Sequence, residues 1–341
     1  MKHTKKVVAQ LMTEGLLSNV AIRVGKFDEI LGEVYESNTI RTNENTLFDM
    51  ASVTKILATA VISLIAIDKG ELKLTDKVSK FFSVPDHYKE LTVYHLLTHT
   101  MGIGHRNLTE NGNTYDNIAE YILSLKGERI GEHVEYSCPA FVLMGKILEK
   151  IYNKKLDVLF NEMVAAPLKM GKSRFCPDTK IYTDIVNSNI SDEEIGVVND
   201  YNCKFLGGIA GNAGVFSCVS DMTKFVNMLL NDGKPLFTKQ VMDIACENHT
   251  KGLDAARGIG FLYVDDSYKQ TGDLFLTGSV GHCGHTGQSV FLNRESGLYV
   301  IILSDATICA IKKYGHDGYY QRVMDMRRDI HNAIKKDLDN E

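Results

Sequence analysis

The chain has 341 residues, 44% of them hydrophobic, and a formal net charge of −5 with no long run of one sign. That is ample apolar material for one large domain or two lobes, and it lacks the basic patch that a nucleic-acid partner leaves. Seven scattered cysteines (138, 176, 203, 218, 246, 283 and 309) predict reduced, packed thiols rather than a disulfide framework.

The N-terminus has a basic start, but Gln10, Thr13 and Glu14 break its short apolar part. It therefore lacks the core of a signal peptide and reads as an amphipathic helix, which makes the cytoplasm the expected compartment. Val20 to Glu36 alternates apolar and polar residues around a charged break at Lys26-Phe-Asp-Glu29, which predicts a β-hairpin. Phe48-Asp-Met-Ala-Ser-Val-Thr-Lys55 then leads into twelve uncharged residues, Ile56 to Ile67. Twelve is too few to cross a bilayer, so no membrane span is expected and the stretch reads as a buried core helix. Helices are predicted at 92–99, 114–126, 139–152, 155–163, 220–231 (with Ser220 as cap) and 238–246. Strands are predicted at 258–264, 289–293 and 297–303, and a helix at about 317–336. Strands at both ends and helices between them predict an α/β (α+β) fold. An antiparallel sheet flanked by helices forms one lobe from 1–83 and 250–341, and a helical lobe, 84–249, is inserted.

Ser52 and Lys55 form the only Ser-x-x-Lys of the chain. Helical residues three apart share a face, so the hydroxyl and the amine point the same way from the first turn. The exposed N–H groups and positive dipole there favour a developing anion. A Lys entering an apolar segment is poorly solvated, and an amine beside a hydroxyl in a dry place activates a serine for acylation. The bland alternative is a helix cap followed by a solvated lysine. Tyr136 stands at a loop-to-helix junction, where its phenol can reach a cleft and act as a base beside an ammonium. The glycine-flanked edge Gly281-His-Cys-Gly-His-Thr-Gly-Gln288 leads into a strand. One of its backbone N–H groups, with that of Ser52, would complete an oxyanion hole.

Two other patterns carry less. His282, Cys283 and His285 suggest zinc, but on a strand 282 faces away from 283 and 285, and no second cluster supplies further ligands. Gly207-Gly-Ile-Ala-Gly-Asn-Ala-Gly214 lacks the Lys-Ser/Thr ending of a phosphate loop, so a tight glycine-rich wall is expected. No metal and no cofactor is expected.

In this order, the motifs resemble those of the serine β-lactamase and penicillin-binding-protein superfamily, in particular the class C β-lactamase-related hydrolases. The resemblance covers residues from about 20 to 335. It rests on the Ser52 segment, His95-Leu-Leu-Thr-His-Thr-Met-Gly-Ile103, Tyr136-Ser-Cys138, Val198-Asn-Asp200 with Leu206–Ser217, and His285-Thr-Gly287. It implies a β-lactamase-like fold with Ser52 as nucleophile, Lys55 as neighbouring base and Tyr136 as proton shuttle. His285 would lie beside substrate and Tyr136. The N–H groups of Ser52 and Gln288 would form the oxyanion hole, and Cys138, Thr286 and Gly287 would line the substrate site. The expected partner is a small ester, amide or lactam. Cys138 stands where the family has an amide side chain, and a thiol hydrogen-bonds poorly. His285 stands where the family often has a lysine, and imidazole is mostly neutral at pH 7. Both departures favour esters and small amides over β-lactams or D-alanyl peptides, with a non-catalytic binding protein as a third reading.

Overall fold

The computed structural model describes residues 1–109 and 113–340. Nine strands are seen among these: β1 (Asn19–Lys26), β2 (Glu29–Ser37), β3 (Phe48–Asp49), β4 (Arg174–Phe175), β5 (Val215–Ser217), β6 (Leu262–Tyr263), β7 (Val280–Cys283), β8 (Ser289–Leu292) and β9 (Leu298–Ser304). Six of them form one antiparallel sheet in the order β2-β1-β9-β8-β7-β6. The β1–β2 hairpin turns at Phe27-Asp28, within the charged break read from the sequence. Because β1 pairs with β9, Val20 opposite Ser304, the two ends of the chain close one sheet.

Side chains alternate across a strand, and here both faces are covered. Val20, Ile22 and Val24 of β1, Val300 and Ile302 of β9 and Phe291 of β8 pack under the helices Lys2–Thr13, Ala306–Tyr314 and Tyr319–Leu338. Ala21, Ile301, Leu303 and Val290 face the opposite core, built from the 55–68 and 138–152 helices and the segments around them. The N-terminal helix has no side-chain cap of its own. Asp337 supplies one from the last helix, its carboxylate accepting the N–H groups of His3 and Thr4 at 2.7 and 2.8 Å. Those bonds outweigh its burial and pull its acidity to about 2. Among the described residues of 84–249, the regular elements joined by loops are helices apart from β4 and β5, which join β3 in a separate three-stranded sheet.

Several elements differ from their predicted limits. The strand expected at 258–264 shrinks to β6, because the chain turns back at Gly258–Phe261 and Gly260, with φ +83°, donates its N–H to Leu97. The 220–231 helix begins at Val219 and is preceded by Cys218, while Ser220 donates instead to Asn45. A helix at Ala306–Tyr314 precedes the terminal one, ended by Gly315 at φ +73°. The Ser52 segment winds continuously over 18 residues, Ala51–Asp68, long and apolar enough to cross a membrane, but 83% of it is buried inside the protein. Burial, and not shortness, accounts for its composition.

Candidate active site

Ser52 follows a strained residue. Ala51 has φ +44°, a conformation that costs a residue with a Cβ about 1–3 kcal/mol. Asp49 holds it there: one carboxylate oxygen accepts the Ala51 N–H at 2.8 Å, and the other accepts the Asn199 N–H at 2.7 Å. Asp49 is fully buried, which lifts its carboxyl to about 6. The chain then makes one 3₁₀ turn over Ala51–Val53 and widens into a π turn over Lys55–Ala60, where a regular helix was expected. A 3₁₀ turn has three residues per turn, so side chains three apart eclipse. Lys55 Nζ therefore lies 3.1 Å from Ser52 Oγ.

The rest of the Lys55 environment comes from two distant segments. Its ammonium donates to the Asn212 carbonyl at 3.0 Å and to Cys138 Sγ at 3.5 Å. With Ser52 these use all three of its protons. Burial works against the charge, but Cys138 and Tyr136 beside it outweigh burial and hold the amine above its ordinary value. Asn212 lies in the glycine-rich segment 207–214, which forms a wall rather than a phosphate cradle. Its neighbour Gly211 accepts from Thr59 at 2.7 Å, and Asn212 Nδ2 donates to Asp200 at 3.0 Å.

Tyr136 and Cys138 are set by the start of the 138–152 helix, with Ser137 as its cap accepting the Ala140 N–H at 3.1 Å. The Tyr136 ring centroid is 4.9 Å from Lys55 Nζ. Burial raises both the Tyr136 phenol and the Cys138 thiol, and the Lys55 charge pulls each of them back down. His99 supports this corner. It sits at φ +59°, stacks on Tyr136 with centroids 4.7 Å apart, and accepts the Ser137 N–H on Nδ1 at 3.0 Å. Its burial keeps the imidazole neutral by pushing its pKa well down. His99 and Asn212 were visible only as members of recognisable segments. Their roles arise from a ring stack and a backbone carbonyl, which leave no sequence signal.

The edge strand needs correction. The sequence reading had the edge 281–288 lead into the strand at 289–293 and weighed His282, Cys283 and His285 as if they lay on one strand. In the structure β7 ends at Cys283, and the chain turns, with the Gly287 N–H donating to the Gly284 carbonyl at 3.1 Å and the Gly284 N–H to the Gln288 carbonyl at 2.9 Å. Of the two histidines on this edge, the one whose ring lies near Tyr136 is accordingly His282, with centroids 6.2 Å apart, and not His285. His285 is exposed at the rim, edge-on to Tyr319 at 5.5 Å. Thr286 and Gln288 lie behind the wall, where both side chains donate to the Asp49 carbonyl, at 2.8 and 2.6 Å. Neither they nor Gly287 line the cavity, whereas Gly284 and His285 do. A side chain at 284 would meet the Met50 carbonyl at 2.6 Å, so only glycine lets this turn approach the Ser52 segment. His282, Cys283 and His285 diverge toward Tyr136, Tyr268 and Tyr319, and among the described residues no three His, Cys, Asp or Glu converge on a point that would hold a metal ion.

These walls enclose a cavity of about 290 Å³ reaching Ser52 and Tyr136, with His282, Gly284, Arg257 and Tyr268 around them. The arrangement gathers a hydroxyl, an amine, a phenol and backbone N–H groups at one small cavity, the groups that acyl transfer to a serine uses.

Comparison with known proteins agrees in fold and extent. The model of the beta-lactamase family matches residues 4–308. A protein of Escherichia coli (strain K12) named "Putative D-alanyl-D-alanine carboxypeptidase" is 25% identical over an alignment of 319 residues, spanning 80% of this chain and 72% of its own length. Among solved structures, EstCE1, a hydrolase with promiscuous acyltransferase activity, superposes with TM-score 0.75 at 17% identity, covering 97% of this chain and 98% of its own. A penicillin-binding protein homolog from Caulobacter crescentus gives TM-score 0.75 at 14% identity, covering 97% of each chain.

Proposed function

Because this chain belongs to the beta-lactamase family, whose members are serine hydrolases, we propose that it hydrolyses small esters or amides by acyl transfer through an acyl-enzyme on Ser52. The observation that carries this reading is the 3.1 Å contact between Ser52 Oγ and a buried Lys55 whose other two protons are already engaged. A lysine kept in the core only for structure has no reason to point at a serine that opens on a cavity.

In the proposed reaction Ser52 Oγ attacks the substrate carbonyl and its proton passes to the Lys55–Tyr136 pair. The two groups share one environment and titrate as a unit, so the base belongs to the pair. The pair then protonates the leaving alcohol or amine, and water resolves the acyl-enzyme by the reverse sequence. The anionic oxygen is stabilised by the Ser52 N–H and a second donor. We assign that donor to the His285 N–H, which follows the Gly284 turn against the Met50 carbonyl, in place of the Gln288 N–H expected from the motif. His99 and His282 act on Tyr136 as neutral neighbours, since burial pushes both imidazoles well down.

Ser52→Ala is expected to abolish both p-nitrophenyl ester turnover and labelling by a fluorophosphonate, read by intact mass. Undiminished turnover in that variant would remove the assignment. A second reading, cleavage of D-alanyl peptides or β-lactams on the same machinery, is favoured by the name that the Escherichia coli relative carries. Efficient steady-state hydrolysis of nitrocefin or of D-amino-acid amides would select it.

A further inference from the structure

Arg327 reaches the cavity wall from the terminal helix Tyr319–Leu338 and is only 4% exposed. Its partners are neutral: one terminal nitrogen donates to Gln270 Oε1 at 2.8 Å and the other to the Gly284 carbonyl. Other well-covered arginines are paired with carboxylates. Arg23, 8% exposed, meets Glu33, and Arg294 bridges Asp232 and Asp243. A guanidinium is always charged, and burying it beside neutral groups alone is costly. The Gly284 oxygen does not need that charge for its own satisfaction, because the Gly287 N–H already donates to it at 3.1 Å.

The peptide that Arg327 holds is the one that carries the His285 N–H. Three of the four backbone groups of Gly284 and His285 are engaged. The Gly284 N–H donates to the Gln288 carbonyl at 2.9 Å, the Gly284 carbonyl accepts from Gly287 and Arg327, and the His285 carbonyl accepts from the Thr307 hydroxyl. Among the described residues the His285 N–H has no protein acceptor. The 284–285 bond is trans, so its oxygen and its N–H point in opposite directions. Fixing the oxygen toward the terminal helix therefore fixes the N–H away from it. A cation on the oxygen also draws the amide toward its charge-separated resonance form, which strengthens the N–H as a donor.

We propose that Arg327 is a positioning residue for the oxyanion hole: through the Gly284 carbonyl it aims and polarises the His285 N–H across one peptide bond. The inference rests on the acyl-transfer reading and adds to it a residue that stabilises the oxyanion through a neighbour. It gives the buried charge a use that the fold does not, since the oxyanion that forms when Ser52 attacks is met by a donor already aimed and strengthened.

Two esters that differ in one atom read the effect: p-nitrophenyl butyrate, and its thiono analogue with C=S in place of C=O. Sulfur accepts hydrogen bonds poorly, so a working oxyanion hole favours the oxo ester beyond the preference that hydroxide shows. Arg327→Met removes the donors and the charge. It is expected to lower kcat for the oxo ester by about 10- to 100-fold with KM within about threefold, because the oxyanion exists only in the transition state. The oxo-over-thiono ratio in kcat/KM should fall by about tenfold, toward the hydroxide value. An arginine that only holds the fold would slow both esters equally and leave the ratio unmoved. An unmoved ratio, or a wild-type ratio no higher than that of hydroxide, overturns the inference. If Arg327→Met does not fold or is too slow to read, Arg327→Gln, which keeps a donor without charge, carries the same test: a lowered ratio supports the inference and an unmoved one overturns it.

A fluorophosphonate tells failure of the acyl-transfer reading apart. An adduct on Ser52 and ester turnover, with an unmoved ratio, remove the role of Arg327 and leave the chemistry standing. With neither adduct nor turnover in the wild-type protein, both are overturned together.

Discussion

The two walls of the cavity are built on opposite principles. On the Lys55 wall the ammonium spends all three of its protons, on Ser52, Asn212 and Cys138. The His99 ring stacks on Tyr136 while its Nδ1 accepts the Ser137 N–H, although His99 Nε2 and Asn212 Oδ1 stay buried without partners. On the facing wall donors and acceptors are left over. His282 Nε2, Arg257 Nε and Arg327 Nε are buried without partners. Satisfied groups hold a fixed geometry, whereas orphaned buried ones carry a standing cost that a ligand relieves. The first wall is finished without substrate, as proton-transfer machinery has to be. The second is completed by what binds.

The largest break in that contrast comes from the finished wall. Lys55→Met keeps the length and removes the charge, the base and the Ser52 contact together. Ester turnover is expected to fall about a thousandfold, the scale of positioned acid–base catalysis. A loss under tenfold would mean that the wall is scaffolding and that the base lies elsewhere. The next effect is the pH profile. Lys55, Tyr136 and Cys138 are all held above their ordinary values, so at neutral pH each carries its proton. The reactive form of the pair has lost one proton, and it becomes more populated as pH rises. The expected profile of kcat/KM therefore climbs above pH 7, by up to about tenfold per unit, the limit for loss of a single proton. A profile already flat from pH 6 to 9 would show that the pair has lost its proton in the resting protein.

The sequence revealed the two walls unequally, for a physical reason. Ser52 and Lys55 were legible because helix geometry is local: a three-residue spacing fixes where side chains point before any tertiary contact forms, whereas Tyr136 was legible from its loop-to-helix junction and Cys138 from the motif it shares with the family. The hairpin β1–β2 was legible through alternation, and the strands β8 and β9 through short apolar runs. The edge at 280–288 was not. Its two Gly-flanked histidines, His282 and His285, both fit a motif, and the choice depends on whether the strand ends at Cys283 or runs on. The close approach of Gly284 to the Met50 carbonyl decides it, and that contact spans more than two hundred residues. Arg327 escaped notice for the same reason. One arginine among many becomes informative only when its surroundings are seen to lack a carboxylate.

The smallest expected effect tests how the finished wall is held. Gly211 packs against the 138–152 helix so tightly that a Cβ there would lie 2.0 Å from the Phe141 carbonyl oxygen, a backbone atom that cannot swing aside. Gly211→Ala must therefore push the glycine-rich segment outward. The Asn212 carbonyl, adjacent in the chain, moves with it and loosens its 3.0 Å contact with Lys55. The overpacking costs about 1–3 kcal/mol of stability by denaturant midpoint. The freed ammonium proton has no other acceptor in its three-cornered cage, so its geometry toward Ser52 degrades, with a loss of about tenfold in kcat, a size set by the steep cost of displaced catalytic groups. A change in stability without a change in kcat would show that Lys55 is positioned by Ser52 and Cys138 alone. The glycine-rich wall would then belong to the fold and not to the chemistry.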